Sequence, residues 1–115
     1  NKHGKKVGLI EVHLYRPFSS EFLLKELPET VKRVAVLDRT KEAGSIGEPL
    51  YLDIVEALRG KNIDVFGGRY GLSSKDVPLK DINAVFENIF SDKSIFMVML
   101  VVVTVIIFVC VIVSF

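Results

Sequence analysis

Cysteine is almost missing from this 115-residue chain: the single copy, Cys110, lies in the apolar C-terminal run. That excludes an internal disulfide framework, a CxxC redox pair and a cysteine-ligated cluster held by this chain alone. A reducing cytoplasm is the default setting for the polar part. Excess charge of either sign is missing too, with 15 basic against 14 acidic residues. The basic residues are scattered among acidic ones, so no electrostatic footprint for nucleic acid is present. No His, Cys, Asp or Glu spacing suits a metal, and neither GxGxxG nor the P-loop pattern occurs. His3 reads as solvent-facing. His13 reads as a hydrogen-bonded structural histidine, since no Ser, Cys or carboxylate stands with it at a catalytic spacing. The first residue is Asn1 rather than methionine, and residues 1–6 read as the end of a helix feeding a strand, the pattern of a piece of a longer protein.

What the chain does have is a strand–helix pattern that recurs three times, centred on residues 34–58. Val34, Ala35, Val36 and Leu37 form an apolar run without alternation, as expected of a strand covered on both faces. Glu48 and Pro49 open a helix, where proline loses no intrahelical bond and the carboxylate favours the positive end of the dipole. Leu50, Ile54 and Leu58 at spacing four, with Tyr51 and Val55 beside them, set its apolar face, and Gly60 stops it. Before this unit, residues 6–14 read as a strand and residues 20–27 as a short helix capped by Ser19, with Phe22, Leu23, Leu24 and Leu27 as its apolar face. After it, residues 63–66 read as a strand and residues 67–71 as a glycine-rich turn with backbone angles that bulkier residues resist. Ser73, Ser74 and Asp76 are candidate caps for a last helix ending at Phe90, in which Ile82, Val85, Phe86, Ile89 and Phe90 share one face. Three such units imply parallel strands with right-handed crossovers, an α/β architecture.

Residues 91–94 form a polar joint. Beyond it, residues 95–113 run without a charge and with Thr104 as the one polar residue, close to the ~20 residues that cross a bilayer. The run predicts a C-terminal hydrophobic helix able to span a membrane. Lys80 and Lys93 precede it and no charge follows, so residues 1–94 would stay on the cytoplasmic side. Valine and isoleucine dominate the run, and left in water it favours β association over helix. A core strand pair or helix of the globular domain is disfavoured, because a domain this small cannot cover so much apolar area on all sides; a tail made by an altered reading frame or gene break is the remaining alternative.

Two loops could carry chemistry. Gly44, Ser45, Ile46 and Gly47 before a helix invite a phosphate reading, but Glu48 would set a negative charge where the phosphate must sit, which favours a plain turn. Asp38, Arg39, Lys41 and Glu42 read either as a salt-bridge cluster at a domain interface or as a solvated loop. Arg69 and Tyr70, between glycines, read either as a fork that clasps a carboxylate or a neighbouring domain's backbone, or as a turn that launches the last helix. No complete active site follows from these residues.

The stretches HLYRPF, LDRTKE, GEPLYLD and GGRYGLSSKD occur in that order. Over about residues 4–90 the chain resembles pyruvate:ferredoxin (flavodoxin) oxidoreductase, in its second domain, which is similar to the transketolase C-terminal domain. The family usually has proline where Ala43 stands, and the order of Pro78 and Leu79 is reversed; both positions are in a loop or at a helix start. The apolar tail has no counterpart in the family. The resemblance implies a small three-layer sheet, parallel or mostly parallel, in residues 1–90. It lacks the domain's first strand–helix unit, so one strand would be missing and an edge exposed. It further implies a parent enzyme that uses thiamine diphosphate, Mg2+ and 4Fe-4S clusters, takes CoA as a substrate, decarboxylates pyruvate to acetyl-CoA and passes electrons to ferredoxin or flavodoxin. The family builds its thiamine site from the first and last domains and its clusters from late cysteine-rich segments, none of which is in this chain. The expected role is therefore packing against other domains of a homo-oligomeric parent, with Asp38, Arg39, Lys41, Glu42, Gly47, Glu48, Arg69 and Tyr70 as candidate interface loops and no catalytic, cofactor-binding or metal residue. The alternatives are a membrane-anchored α/β interaction module and a standalone small-molecule binder using Arg69 and the helix-start loop.

Overall fold

The computed structural model describes residues 6–72, 78–90 and 109–114, the last group as backbone. The elements follow in the order β1 (Val7–Val12), α1 (Ser20–Glu26), β2 (Arg33–Asp38), α2 (Pro49–Ala57), β3 (Asp64–Arg69), α3 (Leu79–Phe90) and β4 (Val109–Ser114). Among the described residues one sheet holds the four strands in the spatial order β1-β4-β2-β3.

β2 is the spine. Successive side chains of a strand point to opposite faces, and here both faces are covered. Val34 and Val36 pack with Leu23 of α1, with Leu50 and Ile54 of α2 and with Leu58 at its C-cap, while Ala35 packs with Val85 and Ile89 of α3. Two helices on one face and one on the other make three layers, and the unalternating apolar run at 34–37 is the sequence mark of that burial. The spacing-four face of α2 is equally plain, since Leu50 and Ile54 are fully buried and Leu58 nearly so. α1 begins where Ser19 Oγ accepts the Phe22 N–H at 3.4 Å. Its expected apolar face is narrower than predicted: Leu23 is buried, but Phe22 is 70% exposed. Adjacent helical residues lie about 100° apart, so a two-turn helix that aims Leu23 at the core turns Phe22 outward. In α3, Val85 and Ile89 are buried and Phe86 and Phe90 pack beside them, whereas Ile82 is exposed. Arg33 Nη1 donates to the carbonyl of Ile89 at 2.9 Å and ties the end of that helix to the start of β2.

The glycine-rich turn predicted at 67–71 is a correction. Gly67, Gly68 and Arg69 belong to β3 and pair in parallel with Val36, Leu37 and Asp38. Space, not backbone angle, calls for the first two glycines. A Cβ on Gly67 would lie 3.0 Å from the Tyr51 ring, and one on Gly68 would lie 2.7 Å from Leu37 Cδ2. In this stretch the positive φ falls at Gly71.

The C-terminal hydrophobic helix is the second correction. Residues 109–114 form a strand, and among the described residues no helix is long and apolar enough to cross a membrane. Val109, Val111, Ile112 and Val113 are β-branched, which favours the pleated sheet over the helix. β4 runs antiparallel to both β1 and β2. The sheet therefore has three strands in one direction and one against them, and β2–β3 is its parallel pair. The caps expected at Ser73, Ser74 and Asp76, His3, the polar joint and the rest of the apolar run lie outside the described residues.

Candidate functional site

The loop residues singled out by sequence gather at the carboxyl ends of β2 and β3. Asp38 ends β2 and is almost completely buried. Its Oδ1 accepts the N–H of Leu50 at 3.1 Å and its Oδ2 accepts the N–H of Tyr51 at 3.0 Å. Helix starts leave their first N–H groups without intrahelical partners. In α2, Pro49 has none to satisfy, Asp38 takes the next two, and Leu52 donates to the carbonyl of Glu48 at 3.0 Å. The cap thus comes from a strand end rather than from the N-cap side chain. Burial pushes the Asp38 carboxyl above the usual carboxylate range; the two N–H donors oppose that shift, and the charges of Glu48 and Asp53 add to it.

Glu48, the N-cap residue, makes no side-chain cap bond because its carboxylate faces the other way. Oε1 accepts from Arg69 Nε, and Oε2 accepts the Glu42 N–H at 2.7 Å. The backbone N–H of Tyr70 donates to the Asp38 carbonyl at 3.0 Å, and Arg39 Nε donates to the carbonyl of Gly71 at 3.3 Å. Asp38, Arg39, Glu42, Glu48, Arg69 and Tyr70 are therefore brought together as one hydrogen-bonded cluster. Gly47 joins it sterically: a Cβ there would lie 2.6 Å from Tyr51 Cδ1, so the Tyr51 ring is held between Gly47 and Gly67. Lys41 is exposed and stands apart.

This geometry opposes a phosphate site at the start of α2. Its N–H donors are taken by one buried carboxylate, and a second lies beside it. Arg69 clasps a carboxylate, as one sequence reading had it, but from strand β3 and within the chain. Among the described residues no three His, Cys, Asp or Glu side chains are grouped to hold a metal ion. His13, just past β1 and exposed, lies 3.4 Å from Glu11 Oε2. An open cleft of about 410 Å³, lined by Leu24, Val31, Lys32, Lys61 and Ile63, lies at the opposite end of the strands.

Sequence reasoning missed two features. One is the remote cap, which no local pattern reveals. The other is Arg16, whose Nη1 meets Asp53 Oδ2 at 2.6 Å and whose guanidinium carbon lies 4.0 Å from the centre of the Tyr15 ring, fastening the segment after β1 to α2. The Arg16–Pro17 peptide is cis. The Tyr-Arg-Pro string was the available signal.

Residues 1–82 match the family described as pyruvate:ferredoxin oxidoreductase core domain II. The chain is 62% identical over 88 residues to pyruvate:ferredoxin oxidoreductase of Moorella thermoacetica, covering 75% of this chain and 8% of that protein. It is 50% identical over 98 residues to the mitochondrial pyruvate dehydrogenase [NADP(+)] of Euglena gracilis, covering 82% of this chain and 5% of that protein. Pyruvate-flavodoxin oxidoreductase of a Nostoc strain is 53% identical over 92 residues, covering 77% of this chain and 23% of that protein. The chain thus spans less than a quarter of the length of each of these relatives.

Proposed function

Because the chain belongs to the pyruvate:ferredoxin oxidoreductase core domain II family, we propose that it serves a thiamine-diphosphate-dependent parent as a non-catalytic structural domain of the transketolase C-terminal-like type. The parent reaction is oxidative decarboxylation of pyruvate to acetyl-CoA, with electrons delivered to ferredoxin or flavodoxin. In this proposal the parent is a cytoplasmic homo-oligomer, and this chain's direct partners are its other domains.

The residues present do not fit the parent's cofactors. A diphosphate at the start of α2 would need the Leu50 and Tyr51 N–H groups that Asp38 already holds, and a 4Fe-4S cluster would need four thiolates where the chain has one cysteine. The chemistry therefore belongs to other parts of the parent, and this domain orients them.

The observation that carries the interface role is Ile46, which is 97% exposed at the tip of the loop between β2 and α2. A loop pinned at its base by Asp38, Glu48 and Arg69 presents that apolar side chain in a fixed place, with Lys41 on the same loop. Asp38, Arg39, Glu42, Gly47, Glu48, Arg69 and Tyr70 form the rest of this interface region. Transplanting the matching residues of this chain into the Moorella thermoacetica enzyme tests the reading. The hybrid should assemble and reduce a viologen dye with pyruvate and CoA, and Ile46→Asp should weaken assembly. A hybrid indifferent to Ile46→Asp would remove the interface role. Viologen reduction by this chain alone, supplied with thiamine diphosphate, Mg2+, pyruvate and CoA, would overturn the non-catalytic role.

A further inference from the structure

β1 and β2 are consecutive in the chain, yet they are not neighbours in the sheet: β4 separates them. Each residue of Val7–Val12 has a partner in Val109–Ser114, and so does each residue from Arg33 to Leu37. Removing β4 would leave β1 without a strand partner among the described residues. It would also turn β2 into an edge although both its faces are covered, which is the environment of an interior strand. The family match ends at residue 82, so the strand that completes the sheet comes from outside the matched residues. β1, β2 and β3 run in one direction and β4 runs against them.

We infer that the gap between β1 and β2 is a strand-binding slot of the family-matched domain, and that residues 109–114 of this chain occupy it in cis. The slot takes a six-residue extended segment that is uncharged and rich in β-branched side chains. The main-chain ladders on both sides supply the attachment, as in strand addition to a sheet edge. The inference uses family membership only for where the match ends, and it stands or falls separately from the interface role of the loops.

The register supplies the test, because Cys110 is the only cysteine and lies opposite Glu11 on one side and Leu37 on the other. Directly opposed residues of antiparallel strands have Cβ atoms about 4.5–5.5 Å apart, within reach of a disulfide. In the full-length chain, Glu11→Cys and Leu37→Cys should each lose both free thiols on mild oxidation, and peptide mapping should place the disulfide with Cys110 in the same chain. Ile10→Cys, one register step away and on the other face, should keep both thiols. Glu11 is exposed, so its replacement leaves the core intact. Retention of free thiols in both Glu11→Cys and Leu37→Cys would overturn the inference. So would disulfides formed only between chains, which would give the slot to a second copy, or equal cross-linking by Ile10→Cys.

Discussion

Arg69, the last residue of β3, donates from Nε to Oε1 of Glu48, which occupies the N-cap position of α2. The Glu48 side chain is 6% exposed and that of Arg69 is 31% exposed, so the pair reaches from the interior towards water. Arg69→Ala would leave a buried carboxylate with one N–H donor, that of Glu42. Breaking a fully buried pair costs about 3–5 kcal/mol; with Arg69 partly solvated, the expected loss is about 2 kcal/mol. Glu48→Gln keeps an acceptor for Glu42 or Arg69 and should cost about 1 kcal/mol. Urea unfolding of both variants checks this, with the midpoint falling further in Arg69→Ala and the slope unchanged. An Arg69→Ala midpoint equal to that of the parent chain would show that the pair contributes nothing.

Asp38 gives the pH dependence. Burial raises its folded carboxyl above the usual range, so between its unfolded and folded pKa values the native state binds more protons than the unfolded one. By linkage, this group's contribution to stability then falls as pH rises through that window. It is most favourable below the unfolded value and least favourable above the folded one. Asp38→Asn removes the titration and replaces one of the two capping acceptors with a donor, which should cost about 1 kcal/mol near neutrality, within the range for lost caps. The difference in stability between the parent chain and Asp38→Asn should widen as pH falls from neutrality into the carboxylate range. Urea midpoints measured across that range test the sign, and a gap that narrows on acidification would contradict it.

Local patterns told the local truths. The run at 34–37 announced a strand covered on both faces, and Leu50, Ile54 and Leu58 announced the face of α2, because burial imposes those periods directly on the sequence. Ser19 and Pro49 were readable for the same reason, each acting on its own turn of helix. What stayed hidden depended on partners distant in the chain. Nothing near Asp38 shows that its carboxylate will cap a helix beginning at Pro49. Gly67 and Gly68 look like a turn until the Tyr51 ring and Leu37 are seen beside them. The apolar tail failed differently. A run of that length fits a membrane-spanning helix and also contains a strand, periodicity does not separate the two, and the abundance of valine and isoleucine was the signal that favoured the sheet.

The two faces of the helical layer give a contrast in core energetics. Ile54 is fully buried between α2 and β2, and Ile54→Ala should destabilise by about 2–5 kcal/mol through lost transfer energy and the cavity left behind. Phe22, although the larger side chain, is 70% exposed on α1, and Phe22→Ala should change stability by less than about 0.5 kcal/mol. Thermal unfolding of the two variants side by side decides it. Equal losses would mean that α1 seats Phe22, rather than Leu23, against the sheet.

Tyr51 and Gly47 should be energetically coupled. A methyl group on Gly47 meets Tyr51 Cδ1 at 2.6 Å and Leu52 Cδ2 at 3.2 Å, and Gly67 lies near the Cδ2 and Cε2 atoms of the same ring. The ring must therefore shift to admit the methyl, and Gly47→Ala should cost about 1–3 kcal/mol as an overpacking penalty. Gly44 and Gly60 have open space around them but φ of 79°, so alanine there should cost about 1–2 kcal/mol through backbone strain alone. The two mechanisms separate in double-mutant cycles. Replacing Tyr51 by leucine relieves the clash at Gly47→Ala, giving a favourable interaction energy of about 0.5–3 kcal/mol, whereas with Gly44→Ala the losses should simply add. Strict additivity between Gly47→Ala and Tyr51→Leu would refute the claim that the glycine is there to make room for the ring.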